Sequence, residues 1–227
     1  MKIFETQIID RKEVAQDTLE VSFVRPADFD FKAGQYVQVE LPIVLRNDAG
    51  GSSRVFSIVS SPDDSKKLTI AFRRSDKGFK RAIEGAAIGT TVRIQGPYGY
   101  FTFDRETHKP LVLIAGGIGI TPCLSMIRFA QTHKMSTPMT LVYANRDRKS
   151  AAYLNELEKL EKGQTHMTLW TIFRPIDQSI LHEIVEHHPY ASWLIAGPPA
   201  FVEVVRNGLH IENVHEHTIF FEEFQGY

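Results

Sequence analysis

The chain has 227 residues, 43% hydrophobic and 11% aromatic, with 26 basic against 27 acidic side chains and a formal net charge of -1. Aromatic content with balanced charge excludes a disordered chain, and the lack of a Lys/Arg surplus argues against nucleic acid as a principal partner. Cys123 is the single cysteine, which excludes an intrachain disulfide, a four-thiolate zinc site and a cysteine-held iron–sulfur cluster, and fits a reducing, cytoplasmic setting.

In chain order, Glu5, Asp10 and Arg11 interrupt any secretory apolar core, so the N-terminus reads as a strand. Alternation bounded by Pro, Gly, Asn and Asp clusters predicts strands over 2–10, 18–25, 36–41, 54–57, 68–73 and 91–96. Short strands in succession suggest an antiparallel barrel or sandwich, with a short helix over 79–87 covering one end. After residue 104 the pattern changes. Strands over 111–115, 141–144, 167–172, 193–196 and 217–221 alternate with helices over 122–133, 151–161, 180–187 and 200–209. This alternation predicts a doubly wound, mostly parallel α/β sheet. The charged stretch 105–110 then separates two domains, 1–106 and 107–227. The longest strongly apolar run, 111–115, is far shorter than the roughly 20 residues a membrane span needs.

The most informative segment is residues 111–127, where an apolar strand runs into Gly116, Gly117, Ile118 and Gly119, and Thr121 and Pro122 open a helix. Glycines let a backbone approach a pyrophosphate, and a helix N-terminus offers free N–H groups to it. A tight turn without a ligand is the alternative. The spacing is not G-x-G-x-x-G, and no acidic residue ends the next strand. Instead Asn145, Arg146, Asp147, Arg148 and Lys149 follow Ala144. In a doubly wound sheet this loop lies where an adenosine ribose would sit, so its cations would favour a 2′-phosphate and hence NADP. A solvated loop whose Ser150 caps the next helix is an equal reading. Gly197-Pro198-Pro199 closes a third strand at the same sheet edge. In the first half, Arg54-Val55-Phe56-Ser57 puts a guanidinium, an aromatic ring and a hydroxyl on one short strand, with Phe56 facing away from Val55 and Ser57.

Arg54-Val55-Phe56-Ser57, Gly96-Pro97-Tyr98-Gly99, the run 115–122 and Gly197-Pro198-Pro199 together resemble, in order and separation, the ferredoxin–NADP reductase family over essentially the whole chain. The resemblance implies a flavin-binding antiparallel barrel followed by an NAD(P)-binding domain. It implies Arg54 at the flavin pyrophosphate, Phe56 beside the isoalloxazine, Ser57 near flavin N5, and Ala71-Phe72-Arg73 flanking the FAD phosphates and adenine. Gly116, Gly117, Gly119 and Thr121, with Pro122, would surround the dinucleotide pyrophosphate, and Gly197 and Pro198 would lie near the nicotinamide. Three departures stand out. The second flavin-phosphate motif is Lys77-Gly78-Phe79-Lys80-Arg81, where amides at Phe79 and Lys80 and cationic side chains would replace a hydroxyl, which favours FAD and leaves FMN open. Ala196 stands where many relatives carry cysteine. The aromatic tail, including Phe224 and Tyr227, would either shield the flavin or fray.

The expected activity is FAD-dependent transfer of a hydride from NADPH or NADH and delivery of electrons to a separate acceptor, such as ferredoxin, flavodoxin, another redox subunit or free flavin. Ser57 and a C-terminal glutamate, Glu223 or Glu222, are the candidate catalytic groups. A free-flavin reductase and a non-catalytic dinucleotide-binding subunit are the alternatives. The nine histidines show no zinc-motif spacing, so no metal is expected.

Overall fold

The structure is a computed structural model and describes residues 2–42, 51–76, 78–103, 109–163 and 166–224. Its first half contains β1 (Ile3–Ala15), β2 (Thr18–Val24), β3 (Tyr36–Glu40), β4 (Ser53–Ser57), β5 (Lys67–Arg73) and β6 (Thr91–Tyr98). They form one antiparallel sheet ordered β4-β3-β6-β1-β2-β5. A bridge between Ile58 and Ile70 joins its two ends and closes the barrel. Strand β1 extends past the expected end because its polar stretch still pairs with β2, Arg11 opposite Val21 and Glu13 opposite Leu19. The intervening turn places Asp17 at φ 55°, a left-handed conformation that Asp tolerates. Helix α1 (Gly78–Gly85) buries Phe79 and Ile83 in the barrel core beside Phe56, Ile70 and Phe72.

The second half runs β7 (Leu111–Gly116), a 3₁₀ turn at Gly117–Gly119, α2 (Ile120–Thr132), β8 (Met139–Ala144), α3 (Leu154–Gly163) and β9 (Met167–Ile172). It continues with α4 (Gln178–His187), β10 (Ser192–Gly197), α5 (Pro199–Ile211) and β11 (Ile219–Glu223). The five strands pair in parallel in the order β11-β10-β7-β8-β9. Strands β7 and β8 are buried throughout, which accounts for their unbroken apolar sequences. One face of the sheet packs on α4 and α5. The other packs on α2 and α3 in a core that also takes in Ala33, Val59, Ala71 and Phe101 of the barrel half. Barrel and sheet therefore share a core.

The order of strands dictates where a ligand fits. From β7 the chain winds outward to β9, then returns to β10 and β11, so the direction reverses between β7 and β10. A crevice opens outside the carboxyl ends of strands at such a switch point. Helix α4 is capped by Asp177, whose side chain accepts from the Ile180 N–H at 3.1 Å. Helix α3 starts at Leu154 rather than at 151, and Ser150 does not cap it. Ser150 closes a turn instead: its N–H donates to Asp147 Oδ1 at 2.8 Å and its hydroxyl to the Asp147 carbonyl at 3.0 Å. The expected domain boundary falls within 104–108, outside the described residues.

Candidate functional site

A cleft of about 580 Å³ lies between the barrel and the parallel sheet. Its barrel wall is made by Tyr36, Arg54, Val55, Phe56, Ser57, Ala71, Phe72, Arg73 and Lys80, and its sheet wall by Ile118, Thr121, Pro198, Pro199, Glu222, Glu223 and Phe224. Strand alternation on β4 sends Phe56 inward, where its ring packs on Phe72 at 5.4 Å and Phe79 at 5.9 Å, while Val55 is 51% exposed. Ser57, on the same face as Val55, is nevertheless buried, and it meets Glu222 of β11 there. Tyr36 is its cross-strand neighbour. Sequence reasoning missed Tyr36, since only the β3–β4 register brings it to the cleft.

Arg54 and Lys80 put two cations on the barrel wall. The Arg54 guanidinium lies over the Phe79 ring at 5.8 Å and donates to the Ser53 carbonyl at 2.7 Å. Burial first, and then the Arg54 charge, push the Lys80 ammonium below its ordinary range. A partly desolvated pair of like charges is unfavourable alone and favourable around an anion. Phe79 is buried in the core and does not line the cleft; its ring backs the Arg54 guanidinium instead. Lys77 lies outside the described residues.

On the sheet wall the glycines have reasons of their own. A Cβ on Gly119 would lie 2.0 Å from the Ala196 carbonyl oxygen, so this glycine lets the turn after β7 pack against β10. Gly116 and Gly197 both lie under the Phe201 ring. Gly117 differs: its φ is +55° and the nearest atom to a Cβ there would be Arg73 Nη2 at 3.7 Å, so its backbone faces the space between the domains. The Thr121 hydroxyl donates to the Ile118 carbonyl at 2.9 Å at the start of α2, and Pro122 is buried in the same first turn. Pro198 precedes α5 at the cleft rim, and the Phe224 N–H donates to the Gly197 carbonyl at 2.8 Å, which brings Phe224 alongside. Tyr227 lies outside the described residues.

The Asn145 side chain, at the carboxyl end of β8, is 8% exposed and neither of its polar atoms makes a hydrogen bond. The nearby Tyr143 hydroxyl feels the amide but donates to the Ala152 carbonyl at 3.2 Å. An orphaned buried amide is costly unless a ligand satisfies it. Arg146 next to it is 77% exposed and meets Asp147 at 3.4 Å. Neither residue lines the cleft itself.

Of the two C-terminal glutamates, Glu222 rather than Glu223 meets Ser57. The Ser57 hydroxyl donates to Glu222 Oε2 at 3.3 Å, while alternation along β11 leaves Glu223 exposed at the rim. Burial raises the Glu222 carboxyl to about 7, against a smaller opposing pull from the Ser57 hydrogen bond. It is therefore able to hold a proton at neutral pH. Among the described residues no group of three or more His, Cys, Asp or Glu side chains is placed to hold a metal ion. None of the described helices is long and apolar enough to cross a membrane.

Two family models match the two halves: an oxidoreductase FAD-binding domain over residues 5–103 and an oxidoreductase NAD-binding domain over residues 113–207. The chain belongs to the ferredoxin–NADP reductase family. It is 32% identical over 164 residues to ferredoxin--NADP reductase B of Sorangium cellulosum, covering 70% of this chain and 65% of that protein. It is 29% identical over 210 residues to the ferredoxin reductase component of a 3-ketosteroid-9-alpha-monooxygenase of Rhodococcus rhodochrous, covering 87% and 58%. A ferredoxin NADP+ reductase from Neisseria gonorrhoeae, solved with FAD and NADP, shares the fold with a TM-score of 0.82 at 18% identity, covering 98% of this chain and 99% of that one. The chain spans 51% to 66% of the length of the curated sequence relatives it matches. Membership assigns FAD to the barrel half and NAD(P) to the sheet half, and the cation pair, the open Gly117 turn and the orphaned Asn145 amide fit those groups.

Proposed function

We propose that the chain takes a hydride from NAD(P)H onto FAD and passes electrons to a separate acceptor such as ferredoxin, flavodoxin or another redox subunit. The observation that carries this reading is the Ser57–Glu222 contact, which joins the barrel wall and the sheet wall inside one cleft. The flavin, when bound, supplies the redox chemistry, and the chain supplies binding, orientation and a proton. On this reading Arg54, Lys80 and the amides at the start of α1 hold the flavin phosphates, with Ala71, Phe72 and Arg73 beside them. Tyr36, Val55 and Phe56 pack along the flavin, and Ser57 donates near the atom that accepts the hydride. Glu222 is the proton reservoir, with Glu223 at the rim.

Gly116, Gly117, Gly119, Thr121 and Pro122 form the turn that receives the dinucleotide pyrophosphate, Asn145 and Arg146 the adenosine end, and Gly197, Pro198 and Phe224 the nicotinamide side. The flavin unit is taken as 1–106 and the dinucleotide unit as 107–227, in a cytoplasmic setting that suits the buried Cys123 thiol. The test is anaerobic mixing of flavin-loaded protein with NADPH or NADH, followed by a screen of acceptors. Bleaching of the flavin by a pyridine nucleotide and onward reduction of a carrier protein are expected. A protein that retains no flavin, or a flavin that neither nucleotide bleaches, overturns the reading, and saturation with added free flavin in place of a carrier reassigns the acceptor. NADPH is expected to outpace NADH, and Arg146→Ala to narrow that gap by about fivefold, the scale of an exposed charge contact. Equal use of both nucleotides by the parent removes the 2′-phosphate role.

A further inference from the structure

We infer that Arg73 is a positioning residue: its guanidinium latches the nucleotide-side loop 145–150 to the barrel and so sets how the dinucleotide meets the flavin. This rests on the reductase reading above. Arg73 ends β5 and is drawn out of water, yet its hydrogen bonds run to the chain itself. Nη1 donates to the Gln16 carbonyl at 3.2 Å and to the Thr18 hydroxyl, both at the β1–β2 turn. Nη2 crosses to the other half and donates to the Ser150 carbonyl at 2.6 Å. One planar fork thus reads three acceptors on two domains, a geometry Arg satisfies and Lys does not.

What it holds is as telling as how. Ser150 closes the turn with Asp147, so a hold on the Ser150 carbonyl is a hold on the whole loop that carries Asn145 and Arg146. The backbone adds a second tie, since the Gln16 N–H donates to the Lys149 carbonyl at 2.9 Å. The same Nη2 lies 3.7 Å from where a Gly117 Cβ would be, directly under the open turn of β7. Arg73 also lines the cleft. It is therefore in reach of both nucleotide-facing segments of the sheet while fixed to the wall that faces the flavin. Asp17, Asp147, Arg146 and the Tyr143 hydroxyl are the charged and titratable groups around it, and Arg146 opposes its charge. The Ser150 bond counters that repulsion and keeps the loop seated.

Misplacing a bound reactant by about 1 Å costs on the order of 100-fold in rate, so a latch at this point acts on hydride transfer more than on affinity. The experiment compares flavin-loaded parent with Arg73→Lys and Arg73→Ala by anaerobic stopped flow, and measures hydrogen exchange at amides 145–151 without nucleotide. Both variants are expected to lower the limiting rate of flavin bleaching by about tenfold or more, with the dissociation constant for NADPH changed less than threefold. Exchange at 145–151 is expected to rise by about tenfold through loss of the interdomain hydrogen bonds. Recovery of the parent rate by Arg73→Lys, a raised dissociation constant with an unchanged limiting rate, or unchanged exchange at 145–151 each overturns the latch. Failure of the parent to be bleached counts against the reductase reading, and the exchange measurement then still decides the latch.

Discussion

The barrel and the sheet meet in two different ways. Away from the cleft the contacts are closed and fully paired. The Ser125 hydroxyl donates to the Ser60 carbonyl at 2.7 Å, the Tyr153 hydroxyl to Glu20 Oε2 at 2.8 Å, and Arg128 to the Val59 carbonyl at 2.9 Å while it grips Glu156 with Nε and Nη2 at 2.7 and 2.8 Å. At the cleft the balance is different: like charges share a wall, a carboxyl holds a raised proton affinity, and beyond the rim the polar side-chain atoms of Asn145 make no hydrogen bond. A satisfied network rigidifies, whereas an unsatisfied one is stable only when something else completes it. The closed contacts fix the separation across which the open ones work.

The largest expected effect breaks the closed side. Gly119 has ordinary helical backbone angles, so Gly119→Ala acts by sterics alone, driving a methyl group into the Ala196 carbonyl. The Ala196 carbonyl belongs to the backbone of a buried strand and Gly119 to the turn that joins β7 to α2, so neither can yield cheaply. A loss of about 3 kcal/mol is expected in urea unfolding, and a loss under about 1 kcal/mol shows that the turn after β7 can move away from β10. Next comes Arg128→Met, which keeps an unbranched apolar stem but removes the guanidinium over the Tyr153 ring and leaves the Val59 carbonyl and Glu156 without their donor. About 2 kcal/mol of stability should go. Flavin bleaching by NADPH should slow with it, although Arg128 does not line the cleft; an unchanged rate would separate the two sides of the interface.

The same contrast divides what was legible in the sequence from what was not. Alternation, turn residues and apolar runs are local, and they place nearly all the described elements, three strand ends at one sheet edge, and the Arg54–Ser57 strand. Contacts between distant residues are silent in such patterns. Nothing near Ser57 announces Glu222, 165 positions away, and alternation on β11 was needed to prefer Glu222 over Glu223. Arg73 reads as part of a strand and reaches Ser150, 77 positions away, only in three dimensions. Gly119 was legible as a glycine in a cradle, yet its spatial reason is a strand that the sequence places far off. Polar residues in the second half of β1 hid its length, because their outward faces carry the charge while pairing with β2 holds the backbone.

On the open side, Arg54→Ala tests whether the cation pair exists for an anion. Flavin affinity should fall by about 1.5–3 kcal/mol, roughly 10- to 150-fold, the range of a charged hydrogen bond. Equilibrium dialysis of the flavin measures it directly. Retention at parental affinity moves the phosphates away from Arg54 and leaves its stacking on Phe79 as its role.

The smallest expected effect is also the most diagnostic, because its sign depends on pH. The Glu222 carboxyl keeps its proton up to about 7 in the folded chain, against 4.5 for an unburied glutamate. Between those values the folded state binds more protons than the unfolded state, so stability falls as pH rises through the window and the penalty is complete above it. Glu222→Gln resembles the protonated form and cannot ionise. It should match the parent near pH 4.5 and exceed it at about pH 8 by about 1–2 kcal/mol, the full linkage value being reduced because the side chain is only partly shielded from water. If the same proton serves turnover, parental flavin chemistry should decline as pH rises through about 7, while the glutamine variant is slower and flat across the range. A parental profile without that inflection leaves Glu222 as a buried acid that burdens the fold, and the source of the proton must then lie elsewhere along the cleft.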